Sequence, residues 1–149
     1  MVANLSRIPA ILAPLCTGTF FGAALYITLV EHPARVEAGI DVALREFPPS
    51  YRRAARLQGG LALTGSLLAV SAWALGGGVI WIYSAALLFA VVPLTLLIIY
   101  PTNARLHDAA LSPDSPAAPF LLRRWGILHA MRTVLGFLAF ALQIAARPS

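Results

Sequence analysis

The fold follows from a long uncharged segment in the middle of the chain. Residues 57–100 read LQGGLALTGSLLAVSAWALGGGVIWIYSAALLFAVVPLTLLIIY. A helix needs about 20 apolar residues to cross the hydrocarbon core of a bilayer, and this segment holds two such runs, 57–75 and 79–100, separated only by Gly76, Gly77 and Gly78. The apolar residues are continuous and do not alternate, as they would in the strands of a membrane barrel. The segment therefore predicts an antiparallel hairpin of two transmembrane helices.

Two further apolar runs, 8–30 and 125–144, extend this pattern to four spans. The 149-residue chain is 59% hydrophobic and only 11% charged, with a mean hydropathy of +0.79. A soluble domain carries about 25% charged residues, so a water-soluble domain is excluded. The first run is too long for the apolar core of a signal peptide, and we expect it to stay in the mature protein. Residues 1–149 are thus predicted to form one all-α integral membrane domain, a four-helix transmembrane bundle.

The two loops between the spans have their own patterns. In residues Pro33–Glu46, the apolar side chains Val36, Ile40 and Leu44 recur every four residues. This spacing predicts a short amphipathic helix at the membrane surface within the first long loop, and Pro48 and Pro49 are expected to end it. The segment 112–119, SPDSPAAP, predicts an exposed turn in the second long loop.

The basic residues predict the orientation. The chain has a net charge of +5, and its arginines flank apolar segments instead of forming a stripe with aromatic residues, so we expect the lipid bilayer as a partner and no nucleic acid. Only Arg7 and Arg147 flank the opposite ends of the spans. The two long loops are therefore predicted to face the cytoplasm of a cell (inner) membrane, with both termini outside. The loop arginines are Arg35, Arg45, Arg52, Arg53, Arg56, Arg105, Arg123 and Arg124.

Polar side chains concentrate at one end of the predicted bundle. On the fourth span, Trp125, His129 and Arg132 share one helical face. Arg132 lies about 10 Å into the span, where a charge costs a few kcal/mol unless it faces the protein interior. It either faces inward, with Glu31 of the first span as its counter-charge, or extends toward the lipid headgroups. Other polar residues expected at this end are His32, Tyr51, Gln58, Asn103 and His107.

Several of these residues form short motifs that resemble a known family. The motifs are Glu31-His32-Pro33 after the first span, Tyr51 and Gln58 at the start of the second, Tyr100-Pro101-Thr102-Asn103-Ala104-Arg105-Leu106 after the third, and Trp125-x-x-x-His129-x-x-Arg132 in the fourth. In this order they resemble the anthrone oxygenase-like integral membrane proteins, also grouped as DUF1772. The resemblance implies a small four-helix membrane protein that oxidises an anthrone-like substrate with dioxygen, without a conventional cofactor.

That resemblance suggests a role for each polar residue. A lipophilic aromatic carbon acid needs a general base, for which His129 is suited, and a cation such as Arg132 to stabilise the oxyanion. Asn103 would hydrogen-bond a carbonyl or peroxide oxygen, and Trp125 would stack on the aromatic ring. Gln58, Tyr51 and Glu31 would complete the substrate pocket of this cofactor-independent monooxygenase.

Three other interpretations remain open at this point. His32, His107 and His129 could bind Fe, Cu or Zn, and two inward histidines could bind haem axially. The same pocket could also belong to a non-enzymatic membrane protein that binds or carries a small ligand. A carrier would need polar residues along its whole path, whereas the opposite halves of these spans are almost bare, which favours the enzyme.

Overall fold

The computed structural model describes residues 2–146, with side chains from residue 7 onward. Within this range every regular element is helical: α1 (Val2–Tyr26), a π-helical segment (Ile27–Glu31), α2 (His32–Glu37), α3 (Ile40–Ala74), α4 (Ile80–Pro93), a second π-helical segment (Leu94–Ile99), α5 (Tyr100–Leu106) and α6 (Ala117–Ala145). The elements before Gly39 are continuous and form the first long helix, while α3 is the second. The elements from α4 to α5 form the third long helix, and α6 is the fourth.

All four long helices are long and apolar enough to cross a membrane, which confirms the predicted four-helix bundle. The first long helix packs against the second and the fourth, and the third packs between the second and the fourth. Large apolar side chains cover the outside, including Leu97 at 74% exposure and Leu67 at 68%. An apolar exterior of this kind is suited to lipid and not to water. Arg147, one of the two arginines predicted to flank the opposite ends of the spans, lies outside the described residues.

Small residues let the helices approach closely in the interior. Ala13, Ala24, Ala69 and Ala139 are all fully buried. A Cβ atom on Gly65 of α3 would lie 2.8 Å from the Leu88 side chain and 3.1 Å from Thr17 Oγ1. Glycine at position 65 therefore sets the distance between α3 and its two neighbours, as small residues commonly do in membrane bundles.

The first long loop was predicted wrongly. Residues Pro33–Glu46 do not form a separate surface helix, because the first long helix continues to Glu37 and α3 begins at Ile40. The chain reverses at Gly39, whose φ of 115° is accessible mainly to glycine. Pro48 and Pro49 lie inside α3 and do not end it. The buried Phe47 beside them packs with Ile27 and Trp125, and this tertiary packing outweighs the hydrogen bonds that the prolines remove.

The other two connections largely agree with the sequence predictions. The predicted hairpin between the second and third long helices is present: Gly76 has a φ of 99°, and the Gly77 amide donates to the Ala72 carbonyl at 3.0 Å. The predicted turn in the second long loop holds as far as Pro116. Pro119 instead lies in the first turn of α6. Proline is tolerated there because backbone amides in the first turn have no acceptor within the helix.

Candidate functional site

One end of the bundle interior contains a cluster of buried polar side chains. Gln58 of α3 is 1% exposed, and His129 and Arg132 of α6 are 2% and 6% exposed. Tyr51 and Trp125 line the same cavity as these three residues. The structure therefore brings together most of the residues that the sequence placed at this end.

Arg132 faces the interior of the bundle and does not extend to the headgroups. One of its terminal nitrogens, Nη2, donates to Gln58 Oε1 at 2.9 Å, and its guanidinium carbon lies 5.9 Å from the centre of the Phe20 ring. The predicted Glu31–Arg132 ion pair is wrong. Within the described residues the partner of Arg132 is a neutral amide, so the positive charge has no carboxylate against it.

Glu31 pairs instead with Arg35, one turn further along the first long helix. Arg35 Nε also lies 2.9 Å from Glu46 Oε2 of α3, and its guanidinium carbon is 5.9 Å from the centre of the Trp125 ring. From the sequence, Arg35 was predicted only to be a loop arginine. The i, i+4 spacing of Glu31 and Arg35 was the available signal. The three charged side chains tie the first two long helices together beside the Gly39 turn.

The hydrogen bonds around Thr28 indicate which ring nitrogen of His129 carries the hydrogen. Thr28 Oγ1 lies 3.0 Å from His129 Nδ1, 2.9 Å from the Ala24 carbonyl oxygen and 2.8 Å from Thr133 Oγ1. A hydroxyl has one hydrogen and two lone pairs. All three contacts are satisfied when Thr28 donates to Ala24 and accepts from both Thr133 and His129 Nδ1. In this arrangement a neutral His129 carries its hydrogen on Nδ1 and keeps a lone pair on Nε2.

Asn103 holds two aromatic side chains in place. Its Nδ2 donates to the Tyr51 hydroxyl at 2.8 Å, and its Oδ1 accepts from Trp125 Nε1 at 2.9 Å. Both ends of the amide therefore have partners within the protein, so the geometry is that of a positioning residue. Because Tyr51 accepts from Asn103, the hydrogen of its own hydroxyl stays available for a ligand.

The three histidines do not form the suggested metal site. Within residues 2–146, no group of three or more His, Cys, Asp or Glu side chains is placed to hold a metal ion. His32 Nε2 lies 3.1 Å from the Leu122 carbonyl oxygen. His107 lies outside the spanning helices and packs on Phe47 and Tyr51, with ring centroids 5.5 Å and 5.2 Å apart. Burial, together with the positive charge of Arg52, lowers the pKa of His107.

An axial haem does not fit between the two buried histidines either. It would need an open slot between the imidazoles. The His32 and His129 rings instead both pack on the Trp125 indole, with centroids 4.9 Å and 4.8 Å from it. The indole fills the space beside each imidazole.

Two cavities meet at the wall formed by Tyr51, Ala55, Gln58 and Arg132. We call the first the inner chamber; apart from the shared wall it is lined by Ile27, Glu31, Arg35, Ser50, Ala54, Trp125 and His129. We call the second the lateral cavity; it lies between α3 and the third long helix and is completed by Gly59, Ala62, Val91, Val92, Thr95 and Leu96.

The two cavities differ in size. The volume open to the centre of a water-sized sphere is about 10 Å³ in the inner chamber and about 200 Å³ in the lateral cavity. Space for one such sphere is enough to hold a single water molecule. The inner chamber therefore admits a molecule of the size of water or dioxygen, and of these two cavities only the lateral cavity admits an organic ligand.

Comparison with known proteins places this chain in a family. Residues 47–142 match the family described as Anthrone oxygenase. The matched range contains Tyr51, Gln58, Asn103, Trp125, His129 and Arg132 and leaves out Thr28, Glu31, His32 and Arg35. No curated protein and no solved structure matches the chain. The match covers more than half of the sequence, and the chain is therefore an integral membrane protein of the anthrone oxygenase family.

Proposed function

We propose that the protein is a membrane-embedded oxygenase that oxidises a lipophilic, anthrone-like aromatic substrate with dioxygen. The observation that carries this proposal is the position of Arg132. A buried cation is costly in a membrane helix and commonly marks a functional site. Arg132 has a neutral partner and lines both the lateral cavity and the inner chamber, which His129 also lines. Its charge can therefore stabilise an anion formed from a bound substrate.

The reaction balances without a further oxidant or reductant. An anthrone has a methylene carbon between two aromatic rings, opposite a carbonyl. Loss of one methylene proton gives an anion whose charge lies largely on the carbonyl oxygen. Electron transfer to dioxygen and formation of a carbon–oxygen bond give a peroxide anion, and return of the first proton to it gives a hydroperoxide. Loss of the second methylene hydrogen and cleavage of the oxygen–oxygen bond then release water. One anthrone and one dioxygen thus give one anthraquinone and one water.

The residues of the shared wall, together with His129 and Asn103, provide the groups that these steps need. The Arg132 guanidinium and the Tyr51 hydroxyl bind the oxygen on which negative charge develops. His129 lines the inner chamber and not the lateral cavity. It therefore receives on Nε2, through a water molecule in the chamber, the hydroxyl proton of the substrate's enol tautomer, whose loss gives the same anion. Asn103 positions Tyr51 and Trp125, and Gln58 holds the Arg132 guanidinium while no substrate is bound.

Oxygen uptake by the purified protein with anthrone in detergent tests this proposal. Loss of a general base costs about 10²–10⁴ in rate, and loss of an oxyanion donor costs about 10²–10³. We expect His129→Gln and Arg132→Met to fall within these ranges. Arg124→Met, which removes an exposed arginine from the same helix, is the matched control and should keep the wild-type rate. An uptake no faster than in detergent alone contradicts the proposal, and tight binding without turnover would favour the ligand-binding alternative.

We also propose that the two ends of the bundle face different compartments, with the end that carries most arginines on the cytoplasmic side. Arg52, Arg53, Arg123 and Arg124 are exposed at the end of the bundle that contains the site. This arrangement places the inner chamber near the cytoplasmic surface.

A further inference from the structure

The lateral cavity has the shape and chemistry of a ligand site. Its walls are largely apolar, formed by Ala62, Val91, Val92 and Leu96, and its inner end is polar, formed by Tyr51, Gln58 and Arg132. Leu96 at its rim is 61% exposed and lies within a membrane-spanning segment. The cavity therefore opens on the lipid-facing surface and ends at a buried cation.

The helix that forms its outer wall is irregular at this level. Pro93 ends α4, and the chain continues as a π-helical segment from Leu94 to Ile99. Thr95 Oγ1 in this segment donates to the Val91 carbonyl at 2.7 Å, which satisfies an oxygen beside the irregular turn. π-Helical turns are frequent at functional sites, and this one borders the lateral cavity directly.

The charge at the inner end selects the ligand. Arg132 makes one side-chain hydrogen bond, to the neutral Gln58, and its buried Nε has no partner among the described residues. A buried guanidinium with spare donors favours an oxygen that carries negative charge. The apolar walls favour a hydrocarbon framework around that oxygen.

We infer that the lateral cavity is the substrate site, and that it binds a flat aromatic molecule whose acidic hydroxyl or enolisable carbonyl oxygen faces Arg132. The inference rests on the proposed function only where it calls the ligand a substrate. The inner chamber, on the other side of the wall that contains Gln58 and Arg132, is left for water.

Two adjacent glycines of α3 provide a matched test. A Cβ atom on Gly59 or on Gly60 would meet no other atom within 4 Å, so both positions accept a larger side chain. Only Gly59 lines the lateral cavity, whereas Gly60 is exposed on the outside of the helix. Gly59→Leu therefore fills the cavity, and Gly60→Leu makes the same change in the same helix without filling it.

Binding of alizarin, a dihydroxyanthraquinone whose anion absorbs at longer wavelength than its neutral form, provides the measurement. We expect the wild-type protein in detergent to bind alizarin saturably and to shift its absorption toward that of the anion. Gly59→Leu should weaken binding by roughly tenfold or more, because the leucine side chain occupies the ligand's space, and Gly60→Leu should bind as the wild type does. Arg132→Met should abolish the spectral shift. Thr95→Leu fills the cavity from the opposite wall and should reproduce the effect of Gly59→Leu if the latter fails to fold.

Equal binding by the two glycine variants, or the absence of a saturable spectral shift in the wild type, would overturn this inference. Its failure is distinguishable from that of the proposed function. If the protein binds alizarin in the lateral cavity but consumes no oxygen with anthrone, the binding site is supported and the oxygenase activity is refuted.

Discussion

Replacing Gln58 with leucine should destabilise the bundle because it leaves the Arg132 charge without its acceptor. Gln58 is 1% exposed and Arg132 is 6% exposed, so bulk water does not replace the lost contact. Leucine and glutamine have similar volumes, and the packing term is therefore small. The expected loss comes almost entirely from the hydrogen bond between Arg132 Nη2 and Gln58 Oε1.

Two measured ranges define the size of this loss. Hydrogen bonds to charged groups contribute about 1.5–3 kcal/mol, whereas interhelical hydrogen bonds in membrane proteins average about 0.6 kcal/mol and reach about 1.7 kcal/mol. Because Arg132 is charged and buried, we expect Gln58→Leu to lower the free energy of unfolding by about 2 kcal/mol. Arg132→Met leaves Gln58 unpaired but removes a buried cation, and its net effect should be smaller. Adding Arg132→Met to Gln58→Leu should restore more than about 1 kcal/mol.

Reversible unfolding in mixed detergent micelles measures these free energies for the two single variants and the double variant. With the wild type, these variants form a double-mutant cycle. A second double-mutant cycle, with Glu31→Gln and Arg132→Met, is the control. Since Glu31 pairs with Arg35, the Glu31 cycle should be additive within about 0.5 kcal/mol. Additive losses in the Gln58 cycle, together with coupling in the Glu31 cycle, would show that the assignment of partners is wrong.

Three further predictions concern other parts of the molecule. Thr28→Val removes the acceptor for His129 Nδ1–H and should lower the turnover rate roughly tenfold or more without weakening alizarin binding, while Thr28→Ser should keep the rate; an undiminished rate in Thr28→Val would remove this hydrogen bond from the mechanism. Because the pKa of His107 is lowered below its ordinary value of 6.5 in the folded state, stability is lost as the pH falls below 6.5, and thermal unfolding of His107→Gln should depend less on pH in that window; an identical dependence would contradict it. In a Cys16→Ala background, cysteines at Ser112 and Gly78 should be labelled from the cytoplasmic and the opposite side respectively, and the reverse pattern would refute the orientation.

The sequence predicts the four helices and the inward face of α6 for a simple reason. Bilayer thickness fixes the length of an apolar run, and helical periodicity places Trp125, His129 and Arg132 on one face. Their burial in the structure confirms that face. Neither quantity depends on how the helices are arranged around each other.

The partners of these residues do depend on that arrangement. Whether Arg132 meets Glu31 or Gln58 is decided by the rotation and axial offset of three helices, which follow from close contacts such as that of Gly65 with Leu88. The ends of the first two long helices were missed for a related reason. Glu31 and Arg35 look like loop residues by composition, but they satisfy each other's charge inside the protein and allow the helix to continue.

Isotope incorporation tests whether Arg132 stabilises the oxyanion of a substrate oxidised by dioxygen. The purified protein is supplied with anthrone under oxygen enriched in its heavy isotope, and the quinone is analysed by mass spectrometry, beside Arg132→Met and the Gly60→Leu control. We expect one heavy oxygen atom in each quinone formed, at a rate reduced by about 10²–10³ in Arg132→Met and unchanged in Gly60→Leu. Equal rates of labelled quinone formation in the wild type and in Arg132→Met would contradict it.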